Sequence, residues 1–238
     1  MIMDPLKRFE SEHYYFCYHE NSPAERDLAA IAAEQEACFR YICGALKVQP
    51  DFKLTYFLCN TPEEVGAFYG DNEPCNGFAR VPDKVYAVYN EKVKCIGFHE
   101  DAHLISYLIN RPESPAVREG LAMYFDSKWW GISNRDWTGY FLKSGRYIGI
   151  GELLDEERFF AADCSITYPI VGAFTAWLIS VYGIGRYLDF YKIGNAAIGF
   201  ADVYGKSPEK LNDEFVSYVR LFRNDRVLEN RMEELLLN

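Results

Sequence analysis

Histidine is scarce in this chain, with four in 238 residues. A spacing pattern among so few therefore carries weight. Cysteine is present but unpaired in pattern. Cys17, Cys38, Cys43, Cys59, Cys75, Cys95 and Cys164 are odd in number, and no two stand as C-x-x-C. That speaks against a disulfide framework and for small buried hydrophobes in a reducing compartment. There is no basic block, and the formal net charge is −10. Nucleic acid and anionic membrane surfaces are thus excluded as main partners. Residues 1–10 are polar and lack a hydrophobic signal region. No stretch reads as long and apolar enough to span a bilayer. The expectation is a soluble, cytoplasmic protein with no membrane partner. Internal repeats, low-complexity stretches and flexible linkers are also missing. Nothing in the sequence speaks to oligomeric state.

Apolar residues make up 49% of the chain, with 18 Tyr and 17 Phe. That is enough for a substantial aromatic-rich core, in one large domain or two small ones. His13 to Tyr18 reads as a strand. Ser22-Pro23 opens a long helix carrying Leu28, Ile31, Cys38, Ile42 and Leu46 as a stripe. Phe52 to Cys59 reads as a second strand. Thr61 caps a short helix, and Lys84 to Tyr89 reads as a third strand. Residues 1–92 are therefore expected to form a mixed α/β part with a small sheet. Residues 93–238 are expected to be mostly helical, and the two parts together to form one α+β catalytic unit. The helical part is read as about Cys95 to Ile109, Ser114 to near Gly131, Pro169 to Tyr182, Ile184 to Ile193, a helix opening at Ser207-Pro208, and a charged helical tail beyond Asn224. A looser, glycine-bearing stretch separates the second and third of these. The pair Trp129-Trp130 reads as an aromatic helix end packed in the core.

Two of the four histidines stand in His99-Glu100-Asp101-Ala102-His103. On a helix, side chains at i and i+4 share a face, so both imidazoles can point at one ion. Glu100, one step round, can reach a metal-bound water instead. This H-E-x-x-H pattern predicts zinc held by His99 and His103. A catalytic zinc takes three protein ligands and keeps one position open. A histidine third ligand six residues on is ruled out, because Ser106 and Ile109 stand three and six residues after His103. Glu119, in the otherwise apolar segment Glu119-Gly120-Leu121-Ala122-Met123, is the better candidate. A glutamate there is costly to bury unless something pairs with it. The plainer alternative pairs Glu119 with Arg118 or another arginine at the solvent edge. Glu113 is the runner-up ligand.

His99-Glu100-Asp101-Ala102-His103, fifteen residues and then Glu119-Gly120-Leu121-Ala122 resemble the gluzincin zinc peptidases, in particular their smaller peptidase-like domains. The segments Leu153-Leu154, Phe159-Phe160, 168–174 and 207–219 look like the downstream part of those domains. The resemblance covers residues 95–220 most clearly. It implies a thermolysin-like zincin architecture and hydrolysis of peptide bonds, with Glu100 as general base. It also implies a downstream Tyr or His that steadies the oxyanion, here Tyr168. The sequence departs from the group in Asp101, a charge inside the motif that should face away from the metal, and in Arg118. No G-x-M-E-N sequence precedes the motif, and the corresponding region reads Gly77-Phe78-Ala79-Arg80. The substrate amino-terminus anchor of the aminopeptidases is thus missing. The competing expectations are a peptidase-like binding module that keeps the scaffold and has lost turnover, and a structural domain with no metal.

Overall fold

The computed structural model describes residues 6–237, so the start of the polar N-terminal segment and the last residue of the tail lie outside the described residues. The chain is α+β and divides into two compact units, one up to Leu108 and one from Ile109 on. The motif helix therefore belongs with the sheet, whereas the sequence pattern draws its line at 92.

The first unit is built on a five-stranded sheet. Its strands are β1 (Lys7–Glu10), β2 (Tyr14–Tyr18), β3 (Leu54–Cys59), β4 (Gly77–Arg80) and β5 (Lys84–Val88), in the order β1-β2-β3-β5-β4. The central pairs β2–β3 and β3–β5 are parallel, and both outer pairs are antiparallel. Two helices make the parallel crossovers, α1 (Pro23–Leu46) and α2 (Pro62–Tyr69). Each begins as the sequence predicts. Ser22 accepts from the Glu25 amide, Thr61 accepts from the Glu64 amide, and a proline follows each cap. Alternation places Tyr14, Phe16, Tyr18, Leu54, Tyr56 and Leu58 in the core. On the other face Phe57, Phe68 and Phe78 gather round the Tyr86 ring, with centroids 4.6–4.9 Å away.

The motif helix α3 runs His99–Ser106, shorter than the expected Cys95 to Ile109. Gly97 at φ +119° breaks the backbone just before it. The two outer strands β1 and β4 have no counterpart in the sequence pattern.

The second unit is helical. It comprises α4 (Pro115–Asp126), a hairpin of β6 (Lys128–Trp129) and β7 (Ile132–Ser133), and then α5 (Asn134–Ser144), α6 (Ile150–Leu153), α7 (Glu156–Ala161), α8 (Cys164–Tyr182), α9 (Ile184–Ile193) and α10 (Ala196–Gly199). A π-helical turn at Phe200–Tyr204 leads to α11 (Pro208–Val219) and α12 (Arg226–Leu237). Helix α8 is central, packed by α4 and α5. A Cβ on Gly120 of α4 would lie 2.5 Å from Thr175 Oγ1, and one on Gly172 of α8 would lie 2.6 Å from the Met123 Cβ. The two helices therefore approach closely at a glycine on each.

The structure corrects three expectations. The presumed loose stretch contains α5, which buries Trp137, Tyr140 and Phe141. Trp129-Trp130 is no helix end: it enters the hairpin turn, with Trp130 at φ +50° and exposed. Finally, among the described residues one helix is long and apolar enough to cross a membrane by length and composition: α8, with 19 residues and mean hydropathy 1.5. Of its scored window, 61% is buried inside the protein, as in a core helix. Its start at Cys164 lies five residues before the expected Pro169, which sits inside the helix.

Candidate metal centre

Helix α3 carries the motif. His99 is half-buried and His103 is buried. Their rings stand with centroids 5.0 Å apart at 82°, and a nitrogen of each lies within 4.8 Å of one of the other. The i, i+4 spacing sets the two imidazoles on one face of the helix. Nitrogens this close could share one ion, and imidazole nitrogen suits zinc. The donor set fits.

Glu100 is half-buried on the same helix. It lies beside the outer strand of the sheet: a Cβ on Gly77 of β4 would sit 3.5 Å from Glu100 Oε1.

Asp101 is the residue whose setting the sequence did not disclose. It is fully buried. The Tyr14 hydroxyl of β2 donates to Oδ2, the Tyr56 hydroxyl of β3 donates to Oδ1 at 2.9 Å, and Gln35 Nε2 of α1 reaches Oδ2 at 3.1 Å. Gln35 also grips the turn before the helix. Its Oε1 accepts from the Gly97 amide at 2.6 Å, and its Nε2 lies 3.2 Å from the Gly97 carbonyl. Burial pushes the Asp101 carboxyl up to about 8, against the two tyrosine hydrogen bonds that lower it. Burial likewise lifts the Tyr14 and Tyr56 hydroxyls well above the usual tyrosine range, with the Asp101 charge adding to it. The only sequence signal for this cluster is a pair of polar residues, Gln35 and Asp101, set among apolar helix positions.

Glu119 and Tyr168 belong to the second unit. Glu119 is half-buried on α4, whose rotation is held by the close approach of Gly120 to α8. Arg118, the neighbour that the plainer reading pairs with it, donates from Nη1 to the Pro112 and Glu113 carbonyls at 2.7 and 2.6 Å. Glu113 is exposed and accepts from Asn195. Tyr168 is half-buried on α8, its ring 5.6 Å from Trp129 and 5.9 Å from Phe159.

A second group of potential ligands, Glu12, His13 and Glu36, gathers where the turn before β2 meets the middle of α1. It is already an ion-paired cluster. His13 Nδ1 meets Glu36 Oε2 at 2.6 Å, and Arg40 reaches Glu36 at 3.4 Å and Glu12 at 3.5 Å.

No family model, curated protein or solved structure matches the chain.

Proposed function

We propose that this protein is a zinc-dependent peptide hydrolase of the gluzincin type, with a thermolysin-like architecture. The observation that carries the reading is the His99–His103 pair, two imidazoles presented together on one helix face. In this reading His99, His103 and Glu119 hold the zinc. When bound, zinc supplies an acidified water at neutral pH and an electrostatic partner for developing negative charge. Glu100 lies about 100° round the helix from His99, which suits it to the water and not to the ion. Its carboxylate takes a proton from the attacking water and passes it to the leaving nitrogen. The Tyr168 hydroxyl steadies the oxyanion.

The sheet supports a peptide as substrate. Strand β4 is the last strand in the sheet order, and its Gly77 position adjoins Glu100. An extended peptide paired to that strand would run past the base, the mode by which strand addition gives main-chain affinity.

Metal analysis of protein prepared without chelator tests the first half of the proposal. About one equivalent of zinc is expected, lost in His99→Ala and His103→Ala. Equal zinc in those variants places the metal elsewhere. Turnover of a peptide found by library screening tests the second half. Glu100→Gln keeps the side-chain shape but accepts no proton, so zinc and peptide binding should remain while turnover falls at least ~100-fold. Tyr168→Phe should lower kcat ~10–1,000-fold with KM and zinc content little changed. A zinc-loaded parent that binds peptides and cleaves none is instead a peptidase-like binding module.

A further inference from the structure

The H-E-x-x-H helix is held from its far side, and we infer that Asp101, with the Tyr14 and Tyr56 hydroxyls and the Gln35 amide, is the positioning device that sets the rotation of α3 and so the aim of His99 and His103. Asp101 lies about 200° round the helix from His99 and about 160° from His103, which is the opposite face. Helix α3 is only eight residues long and has no side-chain N-cap. A helix so short has little stability of its own, and its placement comes from tertiary contacts. Apolar packing by Ala102 and Ile105 is nondirectional. The Asp101 hydrogen bonds are directional, and they come from three separate elements: β2, β3 and α1. Gln35 adds a grip on both the amide and the carbonyl of Gly97, two residues before His99. A rotation of α3 about its axis would break bonds to Tyr14, Tyr56 and Gln35 at once. The face that carries the histidines is thereby fixed in angle as well as in depth.

The positioning of the helix stands on these contacts alone; its effect on metal rests on the zinc reading above. The four histidines allow one experiment to separate the two. Imidazole NMR spectra of histidine-labelled protein are recorded at fixed pH without metal, and then with zinc added against a competing chelator. The samples are the parent, Asp101→Ala, Asp101→Asn and Tyr56→Phe. His19, paired with Glu64 at 2.6 Å, serves as internal control. Asp101→Ala should displace the His99 and His103 ring signals together, leave His19 in place and weaken zinc by ~10–100-fold, the range for residues that orient metal ligands. Asp101→Asn, which can still accept from a tyrosine, should restore both signals and most of the affinity. If Asp101→Ala loses the His19 signal as well, the fold has failed and Tyr56→Phe carries the test, with a smaller displacement expected in the same two rings. Parent-like ring signals in the folded variant would overturn the inference, and so would displacement that spreads equally to His19. A parent that takes up no zinc, beside a variant that still displaces both rings, upholds the positioning role and sinks the metal reading. Displaced rings with parent-like zinc affinity would leave Asp101 structural and overturn its role in aiming the ligands.

Discussion

The two units bury different things. The sheet unit places a carboxyl, a carboxamide and two tyrosine hydroxyls at the centre of its packing, where Asp101, Gln35, Tyr14 and Tyr56 are all essentially without solvent contact. The helical unit buries mainly rings, with the small hydroxyls of Thr138 and Thr167 among them. Trp137, Phe141, Phe159, Tyr187, Tyr191, Phe200 and Phe215 are all under 2% exposed. Apolar packing tolerates rearrangement when volume is kept, whereas a polar cluster is stable only when every member finds its partner. The first kind of core holds a helix at a particular angle, and the second holds helices together. The motif helix sits on the first kind.

The largest expected effect tests the ring-packed core. Trp137 is fully buried, stacks on Phe141 at 5.5 Å and donates to the Trp129 carbonyl at 2.8 Å. Trp137→Ala should cost about 3–5 kcal/mol in urea unfolding followed by circular dichroism. A loss below about 1 kcal/mol would show that this core closes over the gap. Next comes the polar centre. Asp101→Leu takes the acceptor from the Tyr56 hydroxyl and one acceptor each from Tyr14 and Gln35, which keep the Gln35 and Gly97 carbonyls, and should cost about 3 kcal/mol. Parent-like or higher stability would erase the contrast between the units, because hydrophobic replacement would then serve as well. Smaller again is Gly120→Ala, whose new methyl meets Thr175 Oγ1. About 1–3 kcal/mol is expected from overpacking, read by the same unfolding assay. No change would mean that α4 and α8 separate freely.

The smallest effect concerns the rim of the polar unit. Burial works to raise the Glu36 carboxyl, but hydrogen bonds from the His13 side chain and amide and from Ser11 outweigh it and hold the group below the usual range. A depressed folded value means stability that is present above the unfolded value, near ~4.3, and lost as pH falls through the folded one. Glu36→Gln should therefore be about 1 kcal/mol less stable than the parent at neutral pH, with the gap narrowing below about pH 4. A gap that does not change with pH would remove the ionic part of this cluster.

How much of this was legible depends on the range of the interactions. Strands β2 and β3 show in the alternation of Tyr14, Phe16 and Tyr18 and of Leu54, Tyr56 and Leu58, and helix starts show in Ser22-Pro23 and Thr61-Pro62. These are local patterns. Strands β1 and β4 are four residues each, and mostly exposed or half-buried side chains leave them no alternation to read. Helix α5 hides behind Gly139 and a run of polar residues, because its inner face mixes Trp137, Tyr140 and Phe141 with the polar Asn134 and Thr138. At the candidate site, the histidine pair arises from a four-residue spacing. The Asp101 cluster does not, since its partners stand 45, 66 and 87 residues away in the chain. Only folding brings them together.

The boundary at Leu108 also divides the chain's optical and magnetic reporters. All four histidines precede it and all four tryptophans come after it. Indole fluorescence is therefore blind to the sheet unit, and imidazole resonances are silent about the helical one. Among the indoles, Trp137 and Trp177 are buried while Trp130, at the hairpin turn, is 44% exposed. Native emission is thus a mixture of blue, shielded light and red light open to collisional quenchers such as iodide. Iodide should remove the red edge first, and emission that remains unquenchable marks the interior of one unit only.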